Sequence, residues 1–477
     1  MEKQGTMEMN KMGVMPVKRL MLTMGVPMIL SMVLQAFYNI VDSYFVSSMK
    51  DTAEIAGRGE YGVTALTLAF PVQMLMIAVG VGTGVGINAL LSKSLGEGNR
   101  EKASKVAGNA IFLGICTYIV FMLAGVFGID AYMHTQTSDP VVLQMGSSYL
   151  RICMVLSFGV IMFMIYEKLL QAAGRTVLST IAQVAGAVTN IVLDPILIFG
   201  YLGFPAMGIE GAAYATVIGQ FVSLVLGAVF QHTLNRDVNS GIRYLIPQKK
   251  IIGEIYKVGI PAIIMQALMS FMTYGINIIF GRVSVAAVTA YGVYYKIQQF
   301  VFFAAFGLNN ALIPIIGFNY GMQDKRRVKD GIRYGLIYTL VIMLAGAVLL
   351  QVSAAGLAGI FSLSDETYQL CIKAIRIITL GYLFVGANIT YQGIFQAFGQ
   401  GVSSLIISLI RLVVVALPLA YLFTTLENAQ DMIWWAFPIA EGCALAVALI
   451  LMKKIAEKKL DGMKETHHAG RAEGIPA

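Results

Sequence analysis

The chain has 477 residues, of which 57% are hydrophobic and only 13% are charged, and its formal net charge is +8. Soluble domains carry roughly 25% charged residues, so this composition cannot cover a water-facing surface and excludes an ordinary soluble protein. The chain requires lipid as its solvent, and the predicted fold class is an all-α membrane protein.

Twelve apolar segments follow a polar N-terminus of residues 1–19, and their lengths suit membrane-spanning helices. In the first half they lie near 20–48, 63–91, 107–128, 142–166, 177–201 and 209–230. In the second half they lie near 258–282, 287–318, 332–353, 367–395, 401–423 and 433–452. The sequence thus predicts an N-lobe over 20–230, a linker over 231–257, a C-lobe over 258–453 and a tail over 454–477.

Lysine and arginine are distributed unequally between the two sides of these segments. With the N-terminus inside, the predicted cytoplasmic segments hold 26 of the 34 and the predicted external segments hold 3. By the positive-inside rule, this predicts a multi-pass protein of the cytoplasmic membrane with both termini and the linker in the cytoplasm. The positive charge then reflects topology and contact with anionic membrane lipids, not nucleic-acid binding. Glu167 and Lys168 fall at a predicted cytoplasmic turn, where we expect both to be solvated.

The two halves of the chain repeat at one constant spacing, called here the repeat offset, which is the separation of Tyr166 from Tyr391. Tyr166–Arg175 returns as Tyr391–Gln400, and Gln73 returns as Gln298. Each repeat contains six spans, an even number, so the repeats are parallel and related by a pseudo-two-fold axis along the membrane normal. Two such lobes enclose a central cavity and permit alternating access, which favours a transporter over a channel.

Two acids stand out because they lie well inside predicted spans. Asp42 shares a helix face with other polar side chains, and Asp194 does the same on the fifth span. The first face comprises Gln35, Tyr38 and Asp42 with Asn39 alongside, and the second comprises Gln183, Asn190 and Asp194. Counted from Arg19 and Arg175, both acids fall in the outer half of the bilayer at similar depth.

An ionised carboxylate costs roughly 2.5–3.5 kcal/mol at the centre of a membrane helix. Such an acid is tolerated where it faces a water-filled cavity or is held by polar partners. One interpretation is that they only join helices; the other is a site that takes up a proton or sodium. The second lobe lacks such an acid pair, because Asn277 lies close to the position of Asp42 and Val415 is at that of Asn190. The sequence therefore predicts an ion site in the N-lobe alone. A buried Arg411–Glu441 ion pair in the C-lobe is a further hypothesis.

Several short motifs in this order resemble the multidrug and toxic compound extrusion family of the multidrug/oligosaccharidyl-lipid/polysaccharide exporter superfamily. They span most of residues 15–455 and comprise Pro27 with Gln35, Tyr38 and Asp42, Gly96–Asn99, Tyr149–Ile152, Gln171–Gly174, Asn190–Asp194 and Gly208–Ala213. The positions of the acids are similar to those of the DinF-type branch, and the overall sequence is similar to multidrug exporters of low-GC Gram-positive bacteria. The seventh span offers Gln266 and Asn277 but no carboxylate, unlike the family's other branch.

The resemblance implies export of small cationic or aromatic drugs from a bacterium, driven by inward flow of protons or sodium, with no cofactor. It assigns ion coupling to Asp42, Asn190 and Asp194, with Thr216 as a fourth member, and a possible sodium ion at the first three. We expect Gln35, Tyr38, Asn39, Gln183, Gln266 and Asn277 to line the cavity, and Pro27 to act as a hinge because proline removes a helix hydrogen bond. We expect a monomer.

Two other readings remain open at this stage. A lipid-linked oligosaccharide or polysaccharide flippase of the same superfamily would require a strongly cationic cavity, whereas the charge inside these spans includes an acid pair. A membrane enzyme would require a catalytic constellation such as paired histidines with a glutamate, and the sequence shows none.

Overall fold

The computed structural model describes residues 10–51, 55, 57–361 and 363–463, without the side chains of Asn39 and Ile242. Within these residues every regular element is helical. Eleven helices are long and apolar enough to cross a membrane, and a pair bent by 45° makes a twelfth span if counted as one. This confirms the predicted all-α fold of about twelve spans.

The helices of each half follow one another along the chain with short connections. The N half contains α1 (Lys11–Val14), α2 (Val17–Ser47), α3 (Arg58–Gly96), α4 (Arg100–Phe127), α5 (Ile129–Gln136), α6 (Pro140–Val155), α7 (Phe158–Ala172), α8 (Thr176–Phe199) and α9 (Ile209–Thr233). The C half contains α10 (Lys249–Gly281), α11 (Val285–Gly321), α12 (Lys325–Gly359), α13 (Asp365–Ile378), α14 (Tyr382–Ala397), α15 (Gly401–Leu409), α16 (Ala416–Phe423), α17 (Ala429–Met432) and α18 (Ala436–Lys459).

Many of these helices are longer than the apolar segments that predict them. Helix α3 begins at Arg58 rather than near 63, and α12 runs from Lys325 to Gly359 rather than over 332–353. The extra turns at the N-terminal ends of these two helices are largely polar and precede the apolar segments. Capping side chains fix several of their ends: Asp324 accepts the backbone N–H of Arg327, and Asn99 accepts that of Lys102.

The predicted spans near 142–166 and 367–395 are both broken, and at equivalent positions. The first divides between Val155 and Phe158, with the 45° bend between α6 and α7. The second divides at a 3-10 turn, Thr379–Gly381, which is related to the first break by the repeat offset. The breaks therefore extend the internal repeat from sequence to structure. The short helix α5 was not predicted.

The two halves pack against each other at one end of the bundle, called here the basic end because Arg100, Lys249 and Lys325 lie there; it is the predicted cytoplasmic end. Helix α3 contacts α10 and α11, and α2 contacts α11. Glycines permit this approach: a Cβ on Gly86 would lie 2.2 Å from the Ile255 carbonyl oxygen, and one on Gly96 would lie 1.9 Å from that of Phe318. No side chain larger than hydrogen fits at either place.

The segment before the first span also joins the halves at the basic end. The Asn10 side-chain amide donates to the Ala173 carbonyl in the N half, at 3.0 Å. In the C half, the Arg327 guanidinium donates to the carbonyl oxygens of Met12 and Met15, each at 2.8 Å. The Met12 side chain is fully buried. Residues 10–15 therefore bridge the two lobes instead of extending freely from α2.

The expectation that Lys168 is solvated is wrong. Its side chain is buried, and its ammonium donates to the Gln171 side-chain oxygen at 2.9 Å. The Gln171 amide in turn donates to the Glu167 carboxylate at 2.8 Å. Burial is possible because the aliphatic stem of Lys168 lies over Gly84 of the neighbouring helix α3.

Candidate ion-coupling site

The candidate site is built where α2, α8 and α9 meet in the N half. Helix α8 packs extensively on α9 and also contacts α2. Its residues Asn190 and Asp194 are one turn apart and are both buried, so they present polar atoms to the same helix junction. Asp42 is buried on α2 at the third side of this junction.

Asn190 holds the centre of the site. Its side-chain amide is 3.3 Å from the Asp194 Oδ1 atom and 3.3 Å from the Thr216 hydroxyl on α9. Asp42 and Asp194 are near enough to interact electrostatically. The structure thus brings together all four residues predicted for ion coupling, and their role stays a prediction.

The oxygen atoms of this cluster are incompletely bonded. Asp42 Oδ1, Asp194 Oδ2 and Asn190 Oδ1 are buried and accept no hydrogen bond from the described residues. A buried acceptor without a donor is costly, and a buried carboxylate especially so. Such oxygens are suited to hold a proton or a small hard cation. Among the described residues no three His, Cys, Asp or Glu side chains gather as a metal site, so a sodium ion here would depend on amide and hydroxyl oxygens as well.

Two predicted cavity residues lie near the acids or hold the helices that carry them. Tyr38 is one turn before Asp42 on α2 and lies within electrostatic range of both acids. Gln183 accepts a hydrogen bond from the Ser31 hydroxyl, which joins α8 to α2. Gln35 is half-buried on α2, and the side chain of Asn39 lies outside the described residues.

The other two predicted cavity residues belong to the C half. Gln266 is half-buried and Asn277 is exposed, both on α10. No hydrogen bond among the described residues joins either side chain to the acids of the N half. Their assignment to a cavity remains a prediction.

Pro27 interrupts the hydrogen bonding of α2 where that helix meets α8. The Thr180 hydroxyl donates to the Pro27 carbonyl oxygen at 3.0 Å. Together with the Ser31–Gln183 bond, this fixes the proline turn of α2 against α8. A change in the path of α2 at Pro27 must therefore break polar contacts with the helix that carries Asp194.

The sequence did not predict a group of polar side chains beside Asp42. Tyr149 is buried on α6 and lies within hydrogen-bonding reach of Gln73 and Cys153. Tyr149 and Cys153 lie within electrostatic range of Asp42, and Gln73 joins them as their hydrogen-bonding partner. The sequence offered two signals, the recurrence of Gln73 as Gln298 in the repeat and Tyr149 in the motif Tyr149–Ile152, but neither distinguished a site from a packing position.

The hypothesised Arg411–Glu441 pair of the C half is confirmed as a contact. The Arg411 Nη2 atom lies 2.7 Å from Glu441 Oε1, and both side chains are buried. At this position, therefore, the acid of the C half is paired with a cation, whereas the acids of the N half keep unbonded oxygens.

Comparison with known proteins agrees with this fold. The MatE family model matches residues 27–196 and 261–422. The multidrug export protein MepA of Staphylococcus aureus (strain MRSA252) is 28% identical over 438 residues, 91% of this chain and 94% of that protein. MepA of Staphylococcus saprophyticus is 26% identical over 431 residues, 90% of this chain and 92% of that protein. A solved structure, an outward-facing conformation of a multidrug resistance MATE family transporter of the MOP superfamily, is similar with a TM-score of 0.88 at 22% identity, covering 96% of this chain and 100% of that chain.

The fold defines a multi-pass helical membrane transporter made of two repeated lobes. The family model covers well over half of the residues, and the chain belongs to the MatE family, the multidrug and toxic compound extrusion transporters. The predicted family and the classification as a transporter instead of an enzyme are both confirmed.

Proposed function

We propose that the protein is a secondary active multidrug exporter that exchanges organic cations or drugs for protons or sodium by alternating access. One observation carries the ion-coupling part: two buried carboxylates of one lobe keep oxygens that no described residue bonds. The relatives named multidrug export protein support the substrate class, small cationic or aromatic drugs. We place the protein as a monomer in a bacterial cytoplasmic membrane, with both termini in the cytoplasm.

The proposed cycle begins with the halves packed at the basic end and the site accessible from the other side. Asp42 and Asp194 take up an external proton, or a sodium ion shared with Asn190 and Thr216. Neutralising the acids removes the attraction that holds a cationic drug, so the drug leaves outward. Competition between ion and drug for one charged pocket is sufficient to couple their movements.

Movement of α2 at Pro27 is the proposed conformational step. Proline lacks the N–H that would bond the carbonyl one turn earlier, so the helix bends there at lower cost. Neutralising the acids removes the repulsion between Asp42 on α2 and Asp194 on α8 and lets α2 repack, and the Thr180–Pro27 bond is a contact that has to be released. The lobes then rock, and the ion is released inside.

The driving force depends on how many ions move for each drug. Exchange of one proton for one monovalent cation moves no net charge, and a pH gradient of one unit then supplies about 1.4 kcal/mol. Exchange of two ions adds about 2.3 kcal/mol for each 100 mV of membrane potential. Both ratios are compatible with a site that has two carboxylates.

The test uses purified protein in proteoliposomes with a fluorescent aromatic cation, ethidium. Proton and sodium gradients are imposed separately, with the membrane potential clamped by potassium and valinomycin. We expect ethidium accumulation to follow at least one gradient and to collapse when that gradient is dissipated. Accumulation that depends on neither gradient would refute the antiport mechanism but not the family assignment.

A further inference from the structure

The C half contains a buried ion pair that the proposed cycle does not use. The Arg411 Nε atom donates to Glu441 Oε1 at 2.8 Å, and the Arg411 Nη2 atom lies 2.7 Å from the same oxygen. The Asn388 amide donates to Glu441 Oε2 at 2.8 Å and to the Glu441 backbone carbonyl at 3.0 Å. All three residues are more than nine-tenths buried. Both carboxylate oxygens of Glu441 are thus bonded, and its charge is balanced by a fixed guanidinium.

This pair lies at the helix junction of the C half that corresponds to the junction of the candidate ion site in the N half. By the repeat offset, Thr216 corresponds to Glu441 and Gly186 corresponds to Arg411. In the N half, the Thr216–Asn190 contact bridges α8 and α9. In the C half, the Arg411–Glu441 pair bridges the equivalent helices, the span that begins with α15 and helix α18. The same junction therefore carries polar groups in both lobes.

The backbone is rebuilt to admit the arginine. In the N half there is no room for a side chain at the equivalent glycine, because a Cβ on Gly186 would lie 1.9 Å from the Ser223 hydroxyl oxygen. In the C half, Arg411 lies in a π-helical turn, Ile410–Val414, between α15 and α16. A π turn holds an extra residue within a helix and is frequent at functional sites. The helix is thus interrupted where the guanidinium enters the junction.

The bonding of the two junctions is opposite. In the N half, Asp42 and Asp194 keep buried oxygens that no described residue bonds. In the C half, Glu441 receives donors on both oxygens from Arg411 and Asn388. A charge-balanced, fully bonded carboxylate gains little from a mobile cation, whereas removing only its partner leaves a buried charge that must find another.

We propose that Arg411 is a tethered cation that occupies the C-half counterpart of the ion site, so that the C half exchanges no ion and each cycle uses ions from the N half only. This rests on the proposed antiport function and specifies its stoichiometry. Tyr294 also lies within electrostatic range of Glu441, and its hydroxyl is 3.3 Å from that of Tyr382. Phenols are uncharged at neutral pH and cannot replace the guanidinium.

The test measures the number of ions exchanged for each ethidium. Full-length protein is reconstituted in proteoliposomes with the membrane potential clamped at zero, and ethidium accumulation at steady state is measured over a series of gradients of the driving ion. The slope of logarithmic accumulation against logarithmic gradient gives the ratio. We expect Arg411→Gln to raise this slope by about one ion, because Glu441 then requires a mobile cation. Arg411→Lys, which keeps a cation, should keep the wild-type slope.

A double variant keeps the proposal falsifiable if Arg411→Gln does not fold. Arg411→Met with Glu441→Leu replaces the pair by apolar side chains of similar size, which proteins often tolerate. It should transport with the wild-type slope and bind no additional ion. The proposal is overturned if this folded double variant has a different slope or no gradient-driven export, or if folded Arg411→Gln keeps the wild-type slope. A wild-type slope of zero would instead overturn the proposed antiport function itself, so the two failures are distinguishable.

Discussion

Gly84 and Asn309 occupy equivalent positions of the two repeats, and each faces a partner of the opposite size on the neighbouring helix. In the N half, the small residue is on α3: a Cβ on Gly84 would lie 2.8 Å from the Lys168 side chain. In the C half, the small residue is the partner: a Cβ on Gly393 would lie 1.9 Å from Asn309 Oδ1. The repeat offset pairs Gly84 with Asn309 and Lys168 with Gly393. The repeats therefore keep the volume of this contact while exchanging which helix supplies it.

We predict that Gly393→Ala destabilises the protein and that Asn309→Ala largely restores it. The added methyl group collides with the Asn309 amide, and overpacking of this kind costs about 1–3 kcal/mol. Thermal unfolding in detergent measures the effect in the two single variants and the double variant. Gly253→Ala is the control, because this exposed helical glycine has open space around it and the change should be neutral or slightly stabilising. Equal losses in Gly393→Ala and the double variant would contradict the interpretation.

Arg327→Ala should loosen the segment 10–15 at the basic end. The substitution removes two hydrogen bonds to backbone carbonyls of this segment and a third, at 2.7 Å, to the Asn319 side chain. Hydrogen bonds from a charged group contribute about 1.5–3 kcal/mol. A cysteine at Met12, in a variant without the four native cysteines, should then react with a thiol reagent at least several-fold faster. The exposed neighbour Arg326→Ala should leave the rate unchanged, and a similar increase in that control would count against the bridge.

The same segment should make stability depend on pH through Lys11. Burial, and secondarily the Arg175 guanidinium, lower the pKa of the Lys11 ammonium. The folded state therefore binds this proton less tightly than the unfolded chain, so the free energy of unfolding should increase as pH rises through the range just below the ordinary lysine pKa. Lys11→Met should flatten this slope in thermal unfolding measured over a pH series. The exposed Lys18→Met should retain it; loss of the slope in both variants would assign the effect elsewhere.

Asp42→Asn should abolish ion-driven export while leaving the protein folded, and Asp194→Asn should do the same. Asparagine keeps the shape of the side chain but can neither take up a proton nor supply a negative charge to sodium. Gradient-driven ethidium transport in proteoliposomes measures the loss, and ethidium binding shows whether the pocket survives. The control is Glu366→Gln, an exposed acid in the first turn of α13. Undiminished coupling in Asp42→Asn would refute the assignment of this acid.

Thr180→Val should change the conformational step and not the ion affinity. Valine preserves the shape but removes the 3.0 Å hydrogen bond to the Pro27 carbonyl, a contribution of about 0.5–1.5 kcal/mol to the state that contains it. We expect an altered turnover rate at an unchanged ion concentration for half-maximal export. Thr67→Val, which removes only a bond within its own helix, is the control. A shift in ion dependence without a change in rate would place Thr180 in the ion site instead.

The sequence by itself determined that the protein lies in a lipid membrane, how many spans it has, and that its two halves are repeats. Apolar length marks a membrane helix because lipid offers no partners to an unpaired backbone. The repeat was visible because pairs such as Gln73 and Gln298 kept one offset. The shared polar faces of Asp42 and Asp194 were readable because helix geometry alone aligns residues three and four apart. These features depend on local periodicity, which a single chain displays.

Tertiary structure decided what depends on contacts between distant helices. From its sequence position alone, Lys168 is expected to be a solvated charge. It is buried because Gly84, on a helix much earlier in the chain, leaves room for its aliphatic stem. Only packing shows that Thr216 meets Asn190 and that Arg411 closes on Glu441. The N-terminal residues Met12 and Met15 lie beside Arg327, from the opposite half of the chain, for the same reason. Spacing along the chain gives the face of a helix, but the energy of a buried polar group is set by what the opposite helix presents to it.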